Sequence, residues 1–253
     1  MNLTRRQRIE AALQARGECS VETLSRECDV SGMTIRRELR ALAKAGRVIR
    51  THGGAAPAAR VTFDFQFLQR ARDHESAKTR VAAAAGSLIP EGCSVLMDSG
   101  STTLALAREL LDHRKLTLIT TSLPIASALQ FSDGVQVLLL GGYVRRVSPD
   151  LCGAVTEKNL EMLRADLAFI GADGIDLKGN IYNASPEVAR MLERMTASAR
   201  KTYVVADSSK IGRSALVRFG NISKWAGLVT DSGISRPQVA ALKRAGVKVI
   251  VSP

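Results

Sequence analysis

The sequence predicts an α/β protein in two parts: a short helical segment ending in a hairpin, then an open, mostly parallel α/β sheet. Three observations carry this. From about residue 75 onward, short and wholly apolar runs alternate with helical patterns, which reads as parallel strands covered on both faces. The first fifty-odd residues hold closely spaced helical stripes instead, closed by the glycine-bounded run Arg47 to Gly54. Between the two lies Gly53-Gly54-Ala55-Ala56-Pro57-Ala58-Ala59, small and broken by proline, which predicts a boundary near Pro57. The expected domains are 1–57 and 58–253, with 58–75 as a linker region.

Composition bounds the function. At 253 residues with 45% hydrophobic content, the chain suits one large domain or two smaller ones with a packed core. A formal net charge of +12 favours a polyanionic partner, nucleic acid or an acidic membrane. Up to Arg60 there are twelve basic residues against six acidic ones, half the total excess. Nearly all are arginine, whose planar fork suits phosphate and guanine. No apolar run is long enough to span a bilayer. Arg5, Arg6, Arg8 and Glu10 leave no room for a signal-peptide apolar region. A cytoplasmic protein without membrane contact is expected. Cys19, Cys28, Cys93 and Cys152 are scattered, so free thiols are expected rather than a disulfide scaffold or a zinc site. His52, His74 and His113 show no metal-ligand spacing; no metal and no cofactor is expected.

The N-terminal part reads as three short helices and a hairpin. Thr4 and Gln7 form a capping-box pattern. Ile9, Ala12 and Leu13 give one apolar stripe, ended by Gly17. Ser20 can cap a second helix carrying Val21 and Leu24, and Ser31 a third. In the third, Ile35, Leu39 and Leu42 share a face. Rotation by about 100° per residue places Met33, Arg37 and Arg40 roughly opposite, with Arg36 on the flank. Two helices joined by a tight turn, the second with an arginine-rich outer face, is how a recognition helix enters the major groove. The alternative is a small bundle with a solvated charged face. The candidate DNA contacts are Ser31, Met33, Thr34, Arg36, Arg37 and Arg40, with Arg50 and His52 from the hairpin.

The linker is followed by alternating Phe63, Phe65 and Phe67, which suggests a short edge strand or an interdomain plug. A helix is expected over 75–88. Strands are expected at 95–97, 116–119, 135–140, 167–170, 202–206, 228–229 and 247–251. Almost every one ends in Gly, Ser, Thr or Asp, and in open α/β sheets ligands bind at the carboxyl ends of strands. The sharpest element is Asp98-Ser99-Gly100-Ser101-Thr102-Thr103. It lies between a buried strand and a helix, where backbone N–H groups and the helix dipole make an anion site. An ordinary turn capped by Ser or Thr would read the same way. It is neither a nucleotide-kinase P-loop nor a dinucleotide fingerprint. Asp207-Ser208-Ser209-Lys210 offers a point charge for phosphate, or is a surface lysine in a turn. Gly171-Ala172-Asp173-Gly174-Ile175-Asp176 suggests close backbone approach, with Asp173 meeting sugar hydroxyls or simply starting a turn.

These motifs resemble a known family. Val30-Ser31-Gly32-Met33-Thr34-Ile35-Arg36-Arg37-Glu38-Leu39, followed by Gly46 to Ala55, is similar to the DeoR-family signature V-S-x-x-T-I-R-R-D-L with its G…R-x-H-G-G-A wing. Glu38 replaces the usual Asp. The family's sensor pattern is matched by Asp98 to Thr103, Thr121-Ser122, Gly141-Gly142, Gly171 to Asp176 and Asp207 to Lys210. Ser122 stands where Asn is usual, which weakens a sugar-contacting role there. The resemblance covers nearly the whole chain. It implies a winged helix-turn-helix and a sensor akin to ribose-phosphate isomerase and glucosamine-phosphate deaminase folds, in which the strand–loop–helix holds a phosphate. It implies a regulator with no catalytic residues. That regulator would be a repressor of a sugar or polyol catabolic operon, released from double-stranded operator DNA by a phosphorylated sugar or polyol, and a homo-oligomer, dimer or tetramer. Segment 209–215 resembles members that answer to glycerol phosphate or ketose phosphates. The effector candidates are Asp98, Ser99, Gly100, Ser101, Thr102, Thr103, Thr121, Ser122, Gly141, Gly142, Asp173, Gly174, Asp207 and Lys210. The rival is a sugar-phosphate isomerase-like enzyme fused to a DNA-binding module, with Asp98, Asp173 or Asp207 as general base.

Overall fold

Local capping sets the N-terminal helices where the sequence places them. In α1 (Arg5–Arg16) the Thr4 hydroxyl accepts from the Gln7 N–H while the Gln7 side chain accepts from the Thr4 N–H. Gly17, at φ 81°, ends the helix. After β1 (Cys19–Ser20), the Ser20 hydroxyl caps α2 (Val21–Cys28). Asp29 turns the chain in the left-handed region, and α3 (Gly32–Lys44) follows, its Thr34 N–H on the Ser31 hydroxyl at 3.3 Å. β2 (Val48–Thr51) and β3 (Gly54–Pro57) form the hairpin, and β3 lies between β1 and β2 in an antiparallel sheet. Gly54–Pro57, which composition assigns to a linker, is therefore the middle strand. Its glycine has a reason: a Cβ there would stand 2.2 Å from the Cys19 carbonyl oxygen. Ile9, Leu13, Leu24, Ile35, Leu39 and Leu42 are buried together. At roughly 1.5–3 kcal/mol for each buried side chain of this kind, they are the main cohesion of so small a unit.

The computed structural model describes residues 4–44, 47–51, 53–57, 67, 69–145 and 148–253. Two compact units result, Met1–Leu68 and Gln69–Pro253. Phe67 is helical and buried rather than in a strand; Phe63, Phe65 and His52 lie outside the described residues. The second unit runs α4 (Glu75–Gly86), β4 (Ser94–Met97), α5 (Ser101–Glu109), β5 (Leu116–Thr120), α6 (Leu123–Leu129), β6 (Val135–Leu139), β7 (Tyr143–Val144), β8 (Leu151–Cys152) and α7 (Ala154–Glu161). It continues with β9 (Ala165–Ile170), β10 (Gly174–Ile175), β11 (Asn180–Asn183), α8 (Pro186–Ala197), β12 (Ala199–Val205), β13 (Val217–Asn221), β14 (Gly227–Asp231), α9 (Arg236–Arg244) and β15 (Val249–Ser252).

Seven strands form one parallel sheet in the order β15-β14-β12-β9-β4-β5-β6. The chain builds outward from β4 to β6, then returns to β9 on the other side of β4 and continues outward to β15. The direction reverses between β4 and β9, and such a switch point is where an open α/β sheet forms its crevice. Two features depart from the sequence reading. Strand β6 is an edge strand with Leu138 and Leu139 exposed, so it is not covered on both faces. A small antiparallel sheet, β10-β11-β13, and the pair β7-β8 stand beside the main sheet.

Candidate functional site

The N-terminal unit sorts its arginines into two sets. Arg6 and Arg5 pair with Glu38, at 2.7 and 3.9 Å. Arg47 pairs with Glu10, Arg16 with Glu27, and Arg8 donates to the Glu27 carbonyl. The Arg6 N–H on Glu38 holds that carboxyl below its ordinary range. Glu38, the departure from the family pattern, thus ties α3 to α1. Arg36, Arg37, Arg40 and Arg50 are exposed, and among the described residues none of them forms an ion pair. Met33 is 76% exposed on the same helix, while Ser31 and Thr34 bond to one another at 3.0 Å at its start. The outer face of α3 therefore offers free guanidinium groups around an exposed apolar side chain, all on one rigid helix.

At the switch point, Asp98 follows β4 and is buried. Its Oδ1 accepts from the Gly100 N–H at 2.9 Å and the Thr103 hydroxyl at 2.6 Å; its Oδ2 accepts from the Gly171 N–H, after β9, at 2.7 Å. Burial pushes its carboxyl up, those three donors pull it down, and nearby Asp150 raises it. Asp98 is thus fully occupied in tying the loops after β4 and β9 together. A Cβ at Gly171 would stand 3.3 Å from Asp98 Oδ2, a tight contact. Helix α5 begins with Gly100 as N-cap and no side-chain cap. Its first N–H groups, from Ser101 to Thr103, face the crevice end of the sheet with the positive end of the helix dipole behind them.

A network absent from the sequence reading borders this loop. The Ser99 hydroxyl donates to Asp150, which is fully buried and held by Arg145 through Nε and an Nη, both at 2.8 Å. Asp150 also bridges to Ser122 at the end of β5. No spacing rule brings Ser99 and Asp150, 51 residues apart, to each other. Thr121 is buried, and its hydroxyl has no partner among the described residues. On the β12 side, the Asp207 Oδ1 accepts from the Ser209 N–H and hydroxyl, and Lys210 is half-buried. Lys78, on α4, is 5% exposed and donates to the carbonyls of Arg70 and Asp73; burial lowers its ammonium, with Asp207 opposing the shift. Its burial could not be read from the sequence.

The strand order decides which candidates can meet one ligand. From β12 to β6 the strand ends span four spacings, about 19 Å, more than one sugar phosphate covers. Asp98 to Thr103, Gly171, Thr121 and Ser122 sit at the centre. Lys210 and Asp207 lie two strands away on one side. Gly141 and Gly142 lie at the far edge, engaged with α7: Gly141 N–H on Asn159 at 3.1 Å, its carbonyl under the Thr156 hydroxyl at 2.7 Å. Asp173 accepts from the Ala184 N–H at 2.8 Å, and Gly174 lets the Arg213 carbonyl approach, which would stand 2.8 Å from a Cβ. Each of the carboxylates read as a possible general base is thus held by backbone donors. Among the described residues no group of three His, Cys, Asp or Glu is placed to hold a metal ion. The four cysteines are free and buried, and burial and Glu187 push the Cys152 thiol up to about 11. No helix among the described residues is long and apolar enough to cross a membrane.

Comparison with known proteins follows this division. The DeoR-like helix-turn-helix domain matches residues 5–60 and the DeoR C terminal sensor domain matches residues 73–232. A protein of Escherichia coli O157:H7 named for repression of the aga operon is 34% identical over 249 residues, covering 98% of this chain and 93% of its own. The glycerol-3-phosphate regulon repressor of Escherichia coli is 31% identical over 221 residues, 87% of each chain. Among solved structures, a D-ribose-5-phosphate isomerase in complex with phospho-erythronic acid overlaps 54% of each chain, with a TM-score of 0.41 and 18% identity. Two family domains that together account for most of the sequence, and relatives that cover nearly all of it, agree: the chain belongs to the DeoR family of transcriptional regulators.

Proposed function

We propose that this regulator is a repressor of a sugar or polyol catabolic operon, released from operator DNA by a phosphorylated metabolite. The observation that carries the ligand half is the start of α5, an uncapped helix N-terminus at the sheet's switch point. Its free N–H groups suit a phosphate. The effector reading therefore centres on Ser99, Gly100, Ser101, Thr102 and Thr103, with Thr121 and Ser122 beside them. Lys210, half-buried after β12, is the mobile cation of this reading, and Asp98 acts by holding the loop in shape. Gly141 and Gly142 lie as many strands from β4 as Lys210 does but carry no side chain to reach the loop, so they take the lesser part in this reading. The DNA half rests on Arg36, Arg37, Arg40 and Arg50, with Ser31, Met33 and Thr34 at the helix start. Relatives named as repressors support a regulator over an enzyme, and the relative named for glycerol 3-phosphate supports a polyol phosphate within the effector class.

Two copies would place two recognition helices on successive half-sites. A ligand switches such an assembly only if it binds the two states with different affinity. The domain boundary fits a division near residues 57–68, with each unit keeping its own core. The test is selection of duplexes from a random-sequence pool by the full chain, repeated with glycerol 3-phosphate and a panel of hexose and pentose phosphates. The reading expects a paired site to be enriched and one phosphorylated compound to release it. Enrichment without sequence preference, or release by no member of the panel, would count against it.

A further inference from the structure

The charge of the chain is distributed unexpectedly. Residues 199–253 carry ten Lys or Arg and two Asp, whereas residues 61–198 together carry a net −2. The last 55 residues thus contribute +8 of the +12. Both acids are spent internally. Asp207 and Asp231 are 2% and 3% exposed; Asp231 accepts from the Ser208 and Gly233 N–H groups at 2.6 and 2.9 Å. The exposed side chains of this stretch are therefore of one sign.

The parallel sheet gathers many of them at one end. Arg200 and Lys201 begin β12, Lys224 stands just before β14, and Lys248 just before β15, all exposed. Backbone bonds join the three strand starts: the Ala226 N–H donates to the Thr202 carbonyl and the Leu228 N–H to the Lys248 carbonyl, each at 2.8 Å. Lys243 and Arg244, in the last turn of α9, extend the group and also face that helix's negative dipole end. Arg200 stands 3.9 Å from the half-exposed Asp166, at the start of β9. This end is opposite to the crevice, because parallel strands put all their starts on one edge and all their carboxyl ends on the other.

We infer that the N-terminal edge of β12, β14 and β15 is a second contact for the phosphate backbone of duplex DNA, without sequence preference. Lysines on flexible stems supply charge rather than base readout. Duplex DNA is the polyanion in reach. Eleven residues lie between Pro57 and Gln69, so a DNA-bound head tethers the sensor to the same duplex at high effective concentration. The inference rests on the head's binding DNA. It adds that part of the affinity, and most of its salt dependence beyond the head, comes from the sensor.

The experiment uses the full chain and a fluorescent 40-base-pair duplex of arbitrary sequence, titrated across a salt series. Lys224→Gln/Lys248→Gln is compared with Arg213→Gln/Arg236→Gln, which removes the same charge from residues away from this edge. At roughly 0.9 per phosphate contact, the edge pair should lower the slope of log affinity against log salt by about two, and the comparison pair should leave it in place. Equal losses in both, or an unchanged slope in the edge pair, overturn the inference. If the double variant does not melt as a folded protein, Lys224→Gln and Lys248→Gln alone should each lower the slope by about one, and no change in either overturns it equally. Failure of the underlying reading looks different: Arg36→Ala/Arg37→Ala would bind as wild type does, or the wild type would bind no duplex at all.

Discussion

Helices α3 and α5 both begin beside hydroxyl-bearing residues, and they are finished in opposite ways. At α3, the Ser31 hydroxyl accepts from the Thr34 N–H and the chemistry lies further along, in exposed guanidinium groups with no ion pair among the described residues. At α5, Gly100 leaves the first turn uncapped, and the chemistry lies in the backbone itself. The difference fits the two kinds of anion. A duplex is long, so it is met by charges spread along a helix face. A phosphate ester is small, so it is met by converging N–H groups and a dipole. The arginines near α3 divide by pairing within one unit: Arg5, Arg6, Arg16 and Arg47 are exposed but ion-paired, whereas Arg36, Arg37, Arg40 and Arg50 are exposed and form no ion pair among the described residues.

The comparison can be broken first at the support of α5. Asp98→Ala removes one carboxylate and leaves the part-buried N–H groups of Gly100 and Gly171 and the buried Thr103 hydroxyl without it. At about 1–3 kcal/mol per buried group left unsatisfied, the sensor should lose roughly 3 kcal/mol or more. At about 2–4 °C per kcal/mol for a unit of this size, calorimetry should show its transition lowered by about 6–12 °C. A shift of under 2 °C would mean the loop is held by something else.

At α3, Arg36→Ala and Arg37→Ala should each cost about 1–3 kcal/mol of operator affinity where they read a base. Arg6→Ala, which removes a surface partner of Glu38, should cost under about 1 kcal/mol of stability and little affinity. Equal losses of affinity for Arg6 and Arg36 variants in a DNA titration would erase the division into paired and unpaired arginines.

Lys210→Ala should raise the effector concentration needed for release by roughly ten- to a hundred-fold, the size of a lost charge-assisted bond of about 1.5–3 kcal/mol. Operator binding without effector should stay as in wild type. Loss of operator binding itself would show that Lys210 serves the fold or the DNA and not the ligand.

The smallest effect is on pH dependence. At Asp231, burial raises the carboxyl, but the N–H groups of Ser208 and Gly233 and the Ser208 hydroxyl outweigh it, and the net shift is downward. A carboxyl depressed in the folded state contributes stability that is present above the unfolded pKa and lost as pH falls through the folded one. Melting temperatures of Asp231→Asn should therefore fall less steeply than wild type below the ordinary carboxylate range, from a lower neutral value. Parallel acid limbs would contradict the shift.

What was legible in the sequence was local. Thr4 with Gln7, Ser20 with Thr23 and Ser31 with Thr34 act over three residues, so their spacing is the information. The Ile35, Leu39 and Leu42 stripe and the apolar runs of the parallel sheet were readable for the same reason. Gly54–Pro57 was not, because Gly-Ala-Ala-Pro has no strand-forming side chains and owes its conformation to pairing on both sides. The Arg145–Asp150–Ser99 network, the burial of Lys78 and the sheet β10-β11-β13 depend on contacts distant in sequence. The family resemblance groups Gly141 and Gly142 with Lys210, and all follow strands. Only strand order shows them on opposite sides of the crevice.

The central claim is that the start of α5 holds the effector's phosphate. Ser101→Asp tests it most directly, because an acidic residue in a first helical turn favours the helix while repelling an anion there. Full-length wild type and variant are melted with a panel of sugar and polyol phosphates and their unphosphorylated parents. Wild type should gain about 2.7 kcal/mol at a hundredfold excess over Kd, a rise of roughly 5–11 °C, with a phosphorylated compound only. The variant should melt near the wild-type temperature without ligand and gain nothing with it. An equal rise in Ser101→Asp, or a wild type that answers to the unphosphorylated parent alone, would contradict the claim.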